Sequence, residues 1–454
     1  MQKNKVWLVV SLIAILGVVA AAALAAGRIT PVAQSTGDPD MLAPAANLSL
    51  NPNWKAQPVA DAPAPLAWSN IRVNTDATNE AQNEPFTAVD PHNAAHLVVG
   101  ANSWQSGTGQ YEVYAYVSFD GGKTWSASQP YINRNASRLN AADPTVAFGA
   151  DGTVYFAFVA MSPAPGAVAV SRSLDGGRTW ANQTWATSFA GAADKPVLAA
   201  GKSLYLYYQG TGLMTTKSAD NGATWSTANV LDVAGRYAAP VLDTHGNINV
   251  FYVTTSSLRL ARSTDGGTSY GITTVSSITA LQPRAAQYRA AIIPTAGVDK
   301  NGTLYVAWAD GRNTGRGNDI LLSYSTNGTS WSAPLTVNSD AGNADQLMPA
   351  LTVGADGVVS LAWLDTRNDS HNINYDVYMA RSLSTVGGVH FGANQRVTNV
   401  SSNPNNDPRT QGSMIGDYFG IAAGNGVLYP VWTDTRNNNE DIYIAPISAP
   451  NSNN

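Results

Sequence analysis

Three Trp-x-Asp-x-Arg segments are the most regular arrangement of charged side chains in this sequence. Each ends a short apolar run, and alternate residues of a strand share one face, so its Trp, Asp and Arg line up together. An arginine fork can bind a carboxylate through two hydrogen bonds. Either each Asp and Arg form a local salt bridge, or the three arginines converge on an anionic ligand. The equal spacing and the paired acid favour the salt bridge. The residues are Asp310, Asp365 and Asp434 with Arg312, Arg367 and Arg436.

The composition excludes several other kinds of site. There is no cysteine, so disulfides and thiolate metal ligands are excluded. The net charge is -5 and no basic patch is visible, which argues against a nucleic-acid partner. His92 and His96 have a spacing that pairs metal ligands on a helix, but Pro91 begins a turn there. We therefore predict no metal site and no cofactor.

A second pattern, Ser-x-Asp-x-Gly-x-Thr-Trp, recurs along the chain. Four copies that keep the Asp, which we call complete, span residues 118–125, 173–180, 218–225 and 263–270, the last with Ser269 and Tyr270 in the Thr and Trp places. Two incomplete copies have Asn327 and Val386 in the Asp place. An Asp here can accept hydrogen bonds from its own turn, a Gly takes the positive φ, and the aromatic residue folds back as an apolar plug. The predicted structural residues are Asp120, Trp125, Asp175, Trp180, Asp220, Trp225, Asp265 and Tyr270.

This pattern resembles the Asp-box, or bacterial neuraminidase repeat, of sialidase-like β-propellers. The period is roughly 50 residues, which suits a blade of four short strands. The resemblance covers residues 67–448, which contain seven first turns but six box positions. We expect residues 67–75 to supply the missing fourth strand of the last blade. The prediction is an all-β, seven-bladed propeller, with six blades as the alternative because sialidases have six.

The resemblance also implies where a catalytic site would lie. Sialidases carry it on the face opposite the boxes, where three arginines hold the sialic acid carboxylate and a Tyr nucleophile is assisted by a Glu. Tyr418, its neighbour Asp417 and Glu84 are the candidates here. Tyr418 is alternatively a packing residue of the first strand. The family's Arg-Ile-Pro motif is absent, since Glu84-Pro85-Phe86 begins the blade instead.

The N-terminal region predicts export. Lys3 and Lys5 precede an apolar run, so residues 1–27 are a signal peptide or a membrane anchor. Residues 28–66 are rich in Pro and Ala and predict a linker, and residues 449–454 form a tail.

The sequence therefore predicts a protein that is secreted or tethered to the outer face of the membrane. We expect a monomer whose only membrane contact is the N-terminal segment. Its predicted partner is an extracellular glycan or a cell-surface protein, bound opposite the boxes without clear catalytic machinery. The alternative is an exo-sialidase type of glycoside hydrolase.

Overall fold

The computed structural model describes most of the chain after residue 67. The described ranges are 68–76, 80–105, 107, 109–131, 140–161, 166–187, 193–283, 288–289, 291–313, 315–384, 388–408 and 414–448. All of them belong to one compact unit. The predicted N-terminal segment, linker and tail lie outside these ranges. Nowhere in these ranges does a helix have the length and apolar character that crossing a bilayer requires.

The described residues form seven antiparallel sheets, as the period of the sequence predicts. In chain order the strands are β1 (Ile71–Arg72), β2 (Ala81–Asp90), β3 (Asn93–Gln105), β4 (Gln110–Ser118), β5 (Ser126–Ser128), β6 (Ala141–Phe148), β7 (Val154–Ala160), β8 (Ala167–Ser173), β9 (Thr184–Trp185), β10 (Asp194–Ala200), β11 (Leu204–Gln209), β12 (Leu213–Ser218), β13 (Asn229–Asp232), β14 (Arg236–Leu242), β15 (Ile248–Val253), β16 (Ser257–Ser263), β17 (Gly271–Ser277), β18 (Thr295–Val298), β19 (Leu304–Asp310), β20 (Asp319–Ser325), β21 (Leu335–Thr336), β22 (Gln346–Val353), β23 (Val359–Asp365), β24 (Asp376–Ser384), β25 (His390–Phe391), β26 (Gln395–Arg396), β27 (Gly420–Gly424), β28 (Val427–Asp434), β29 (Asp441–Ile444) and β30 (Ile447–Ser448). A short 3₁₀ helix spans Pro404–Asn406.

Each sheet is one blade of a propeller, and its strands follow one another outward from a central channel. The first six blades begin with β2, β6, β10, β14, β18 and β22, and each pairs successive strands. The seventh has the order β1-β29-β28-β27, so its outermost strand comes from the N-terminal end of the described chain. The seven-bladed prediction is confirmed, and the six-bladed alternative does not hold.

The ring is closed by backbone pairing between the two ends of the propeller. Ile71 lies opposite Ile444, and Arg72 lies opposite Tyr443. The next residue, Val73, continues the ladder by donating its N–H to the carbonyl of Ile442 at 2.7 Å. This is the closure that residues 67–75 predict.

Apolar clusters fill the spaces between neighbouring blades. One joins Val98 and Val117 of the first blade to Phe156 of the second. Another contains Val73 and Leu97 beside residues of β28 and β29, so it joins the last blade to the first. Each blade therefore buries both of its faces against its neighbours, which is the main source of stability in a chain without disulfides.

The Asp boxes are tight turns between the third and fourth strands. In the first box, Asp120 Oδ1 accepts hydrogen bonds from the backbone N–H groups of Lys123 and Thr124 at 3.0 and 2.9 Å. Its Oδ2 accepts from Thr124 Oγ1 at 2.6 Å, and Ser118 Oγ donates to Oδ1 at 2.8 Å. Gly121 and Gly122 have φ values of 76° and 83°, which a residue with a side chain rarely adopts.

The box tryptophans also connect blades. Trp180 Nε1 donates to Ser128 Oγ in the fourth strand of the preceding blade at 2.9 Å. Trp225 Nε1 reaches Thr184 Oγ1 in the same way at 3.3 Å. Trp125, in the first box, donates to the carbonyl of Gly122 in its own turn at 3.0 Å. The boxes thus act as structural turns, and part of the sixth box, residues 385–387, lies outside the described ranges.

The box carboxylates should make stability depend on pH. Hydrogen bonds from Thr124 lower the pKa of Asp120 to about 2, below the value of about 3.9 for an unfolded chain. The ionised carboxylate therefore stabilises the folded state above about pH 4, and this contribution is lost as the pH falls towards about 2. We expect Asp120→Asn to lower the Tm at neutral pH. The difference from the unaltered protein should shrink between about pH 4 and pH 2, as followed by circular dichroism.

The control for this experiment is Lys123→Gln, an exposed neighbour whose side chain takes no part in the turn's hydrogen bonds. It should leave the pH dependence unchanged. A Tm difference for Asp120→Asn that stayed constant from neutral pH to pH 2 would show that the carboxylate charge is not what stabilises the turn.

Candidate functional site

The three Trp-x-Asp-x-Arg segments are local salt bridges at the ends of second strands. Arg367 Nε and Nη2 donate to Asp365 Oδ1 and Oδ2 at 2.9 and 2.6 Å, and Trp363 Nε1 donates to Oδ2 at 2.7 Å. The other two segments repeat these bonds at nearly the same distances. Their pairs are Arg312 with Asp310 and Arg436 with Asp434.

Two of these arginines also stack on a tyrosine of their own blade. Arg367 lies over the ring of Tyr378, and Arg436 lies over that of Tyr443, each with Cζ 4.2 Å from the ring centroid. Because each fork is occupied by its own Asp in a separate blade, the structure does not bring the three arginines together on one ligand. The local salt-bridge interpretation describes all three.

The Asp of such a pair depends on its arginine. Asp365 is completely buried, so removing Arg367 leaves an uncompensated charge in the interior. We expect Arg367→Ala to lower the free energy of unfolding by about 3–5 kcal/mol in urea denaturation. Arg381→Ala, whose partner Asp356 is 3.8 Å away and exposed, should change it by less than about 0.5 kcal/mol. Equal effects of the two substitutions would contradict this role.

A β-bulge recurs near the start of the first strand in five blades. The strand register shifts between Asn83 and Phe86 in the first blade, and the same irregularity occurs in β6, β10, β14 and β22. At each bulge one residue has a positive φ without being glycine. These residues are Glu84, Asp143, Lys195, Tyr237 and Met348, with φ values of 53°, 56°, 43°, 56° and 49°. Such strain concentrates at functional sites.

The bulges lie around one end of the central channel. A cavity of about 190 Å³ occupies this end and is lined by residues of all seven blades. Its wall is largely apolar and includes prolines of blades 2 to 6, namely Pro144, Pro196, Pro240, Pro294 and Pro349. Proline suits an innermost strand because the inner edge pairs with no further strand. Lys195, Tyr237 and Tyr418 supply polar groups to the same cavity.

Five ionisable side chains, which we call the channel cluster, meet at this end of the channel. Its members are Glu84, Asp143, Lys195, Arg289 and Asp417. Lys195 Nζ lies 2.7 Å from Asp417 Oδ2, and Arg289 Nη2 pairs with the same oxygen. The Asp417 backbone N–H donates to Glu84 Oε1 at 3.0 Å, and that of Lys195 donates to Asp143 Oδ2 at 3.2 Å. Four blades therefore contribute to the cluster besides the segment that carries Arg289.

Asn102 holds the first two blades of the cluster together. This fully buried side chain donates from Nδ2 to Glu84 Oε2 at 2.9 Å. Its Oδ1 accepts the backbone N–H of Asp143, also at 2.9 Å. One amide on the second strand, β3, thus holds the Glu84 carboxyl and the backbone of Asp143.

The two carboxyls of the cluster are pushed into opposite protonation states. Glu84 and Asp143 are hydrogen-bonded to each other and buried. Burial and the neighbouring charge of Asp143 raise the pKa of Glu84 well above its usual value. Burial is the largest influence on Asp143 and opposes its ionisation, but the positive charge of Lys195 and the hydrogen bonds to the carboxylate together outweigh it and lower the pKa of Asp143. We therefore assign one shared proton to the pair, carried by Glu84.

Lys195 and Tyr418 both keep their protons in this environment. Burial lowers the pKa of Lys195, but the charges of Asp417, Asp194 and Asp143 outweigh it, so the net pKa is raised. Burial, the largest cause, raises the pKa of Tyr418 well above its usual value. Lys195 is thus a cation and hydrogen-bond donor rather than a nucleophile, and the Tyr418 phenol is not activated.

The structure brings together three residues that the resemblance indicates, Glu84, Asp417 and Tyr418. Sequence reasoning missed Asp143, Lys195 and Arg289. The signal for two of them is a charged residue directly before a proline, at the same place in consecutive blades: Glu84-Pro85, Asp143-Pro144 and Lys195-Pro196. No comparable pattern identifies Arg289, which lies before β18.

The two histidines with metal-ligand spacing serve other purposes. His96 Nδ1 lies 2.9 Å from Asp90 Oδ2, and its Nε2 lies 2.9 Å from the carbonyl of Gly176 in the second Asp box. His92 Nε2 lies 2.6 Å from the carbonyl of Ala150. Both therefore connect the first blade to the second. In the described ranges no three acidic or histidine side chains are grouped as metal ligands.

Comparison with solved structures returns proteins of low sequence identity. An α-L-arabinofuranosidase of Fusarium graminearum is 14% identical, with 84% of this chain and 98% of that chain covered and a TM-score of 0.48. An intramolecular trans-sialidase of Ruminococcus gnavus is 13% identical, with coverages of 86% and 98% and a TM-score of 0.45. A Dyadobacter fermentans protein of unknown function is 15% identical, with coverages of 65% and 93% and a TM-score of 0.45.

The family assignment is based on the sequence. No curated protein matches this chain. A family model described as the BNR repeat-like domain matches residues 37–288, which is more than half of the chain and includes the four complete Asp boxes. This chain belongs to the BNR repeat-like domain family.

Proposed function

We propose that this propeller binds the end of an extracellular glycan in the channel mouth, on the face opposite the Asp boxes. The first strands run from the bulges to the turns that lie beside the boxes, as when Gly121 N–H of the first box donates to the carbonyl of Ala95 at 2.9 Å. The channel cluster therefore lies at the opposite end. A ligand that enters this end of the channel would therefore not contact the Asp boxes.

The make-up of the cavity suits a sugar ring. Sugars present apolar C–H faces and polar hydroxyl edges, and the cavity offers a proline-rich wall with Lys195, Tyr237 and Tyr418 as polar groups. Its volume of about 190 Å³ is below the roughly 300–1,000 Å³ of most drug-sized ligand sites. A single terminal residue of a glycan is therefore the appropriate size of ligand.

One observation carries the proposal. Asp417 is 2% exposed, and its Oδ1 has no hydrogen-bond partner among the described residues, although its Oδ2 is paired with Lys195 and Arg289. A buried carboxylate oxygen without a donor is costly, and such an atom in a native site requires an explanation. Asp417 does not itself line the cavity, so a sugar hydroxyl would have to reach it past Lys195, which does line the cavity, to supply the missing donor.

The extracellular setting follows from the N-terminal sequence. The basic residues, apolar run and Pro/Ala-rich segment of residues 1–66 predict export with a tether or a cleaved signal. A cell-surface glycan is then the partner that the propeller would meet.

Binding should depend on the cavity residues and not on the box face. We expect Lys195→Gln to weaken binding of the glycan at least about tenfold, because it removes a charged donor from the site. Tyr418→Phe, which removes one hydroxyl, should weaken it about fivefold. Ligands would be selected on a glycan array and measured by isothermal titration calorimetry.

The matched control is Tyr429→Phe in the same blade. The hydroxyl of Tyr429 donates to the carbonyl of Ala94 at 3.3 Å, beside the first turn of the first blade. This change should leave affinity unaltered. The proposal fails if no glycan binds at millimolar concentration, or if Tyr418→Phe and Tyr429→Phe bind equally well while the fold is intact.

The alternative function is a glycoside hydrolase of sialidase type, and the Glu84–Asp143 pair favours it. Carboxyls of opposite protonation are typical of acid–base sites. The pair would therefore act as one acid, and the nucleophile would have to be Tyr418, whose pKa is raised.

Hydrolysis distinguishes the two functions. Because the Tyr418 phenol is not activated, we expect no turnover of a fluorogenic sialoside above the buffer rate, even at high protein concentration. Turnover that Glu84→Gln and Tyr418→Phe both abolish, and that Arg381→Ala retains, would instead establish the hydrolase.

A further inference from the structure

A second cleft lies on the outer side of the propeller, between the second and third blades. It has a volume of about 310 Å³ and is lined by the end of β8, the segment after the second box and the turn of the third box. Three departures from the repeat meet there, at Arg172, Ala181 and Asn221. None of them belongs to the channel cluster.

The first departure concerns Arg172, the cation directly before the serine of the second box. The cations at the equivalent positions of the third and fourth blades each donate a hydrogen bond to the box of the next blade. Lys217 Nζ donates to the carbonyl of Gly266 at 3.0 Å, and Arg262 Nη1 donates to that of Asn327 at 3.0 Å. The Arg172 guanidinium, in contrast, is exposed and has no hydrogen bond or salt bridge to any described residue. Its charge is therefore available to a ligand.

The second departure removes a hydroxyl from the other face of β8, which packs towards the first blade. In the third blade Thr216 Oγ1 donates to the carbonyl of Ser226 at 2.6 Å, and Ser226 Oγ accepts the N–H of Lys217 at 3.1 Å. The fifth blade repeats this arrangement with Ser323 and Ser332. The second blade has Ala181 at this place, and the buried Ser171 Oγ has no partner in the described part of the chain.

The third departure adds an amide. The first, second and fourth boxes have glycine at the position after Asp, whereas the third has Asn221 with φ of 58°. Asparagine tolerates this conformation better than most residues. Its side chain lines the cleft together with that of Asn182. The Asp220 carboxylate of this box forms no salt bridge with Arg172, and its oxygens accept hydrogen bonds from Ser218 and Thr224 within its own turn.

We propose that this cleft binds one oxyanionic group, a carboxylate, sulfate or phosphate, through the Arg172 fork with Asn182 and Asn221 as further donors. Arginine forks bind such groups with two charge-assisted hydrogen bonds. This site is independent of the glycan site in the channel, because no residue lines both cavities.

The test uses inorganic sulfate, inorganic phosphate and acetate as probes, measured by isothermal titration calorimetry at low chloride concentration. We expect one site per chain for at least one probe, and the ranking of the three identifies the group. Arg172→Gln should weaken binding at least about tenfold. Lys217→Gln, the equivalent cation that is already occupied, should leave it unchanged. No binding at about 50 mM, or binding that Arg172→Gln leaves intact, would overturn the proposal.

A second variant tests the cleft separately from the charge. Asn221→Gly restores the glycine that the first, second and fourth boxes have and removes one amide donor from the cleft. It should weaken the binding of the probe while keeping Arg172. Unchanged affinity in Asn221→Gly would show that Arg172 attracts anions as an exposed surface charge and that the cleft is not a site.

Discussion

Closure of the ring is the constraint on which the rest of this structure depends. A blade of four short strands has two apolar faces and cannot bury either alone. Each face is covered by a neighbouring blade, so all seven must be present and the last must meet the first. The pairing of β1 with β29 achieves this, and Val73 fills the space between the joined blades. The channel, and the site at its mouth, exist only because the ring is complete.

Forming that site costs free energy, and the cost arises in the innermost strands. A positive φ in a residue other than glycine costs on the order of 1 kcal/mol or more, and five blades place such a residue at the same end of the channel. Charges are also buried there, where each needs a partner. Lys195 and Arg289 neutralise Asp417, and Glu84 keeps a proton beside Asp143. The packed ring supplies the stability that keeps these strained and desolvated groups in place.

Departures from the repeat mark the places where the blades differ in chemistry. Boxes and Trp-Asp-Arg segments are alike from blade to blade, and their polar groups are used within the turn or strand end. The residues before Pro85, Pro144 and Pro196 change from Glu84 to Asp143 to Lys195, and these three belong to the channel cluster. Ala181 and Asn221 break the pattern of their blades in the same way and border the outer cleft. The residues that repeat in every blade form the scaffold, and the residues that differ between blades are therefore available for binding ligands.

Much of the fold could be predicted because its determinants are local. The Asp120 turn requires an Asp, a Gly and a Thr within a few residues, and the spacing of such turns indicates blades. The extra fourth strand at residues 67–75 follows from counting them. The salt bridge of Arg367 is similarly local, since Asp365 lies two residues away on the same face of a strand.

The candidate site could be predicted only in part, since its contacts join distant residues. The sequence by itself determined the repeat, the closing strand and the local pairing of each Asp with its Arg. Only the tertiary structure decided that Glu84, Lys195 and Asp417 meet, because their distance depends on how many blades complete the circle and on a bulge that shifts each first strand. It also decided their protonation, which depends on burial and on charges contributed by other blades.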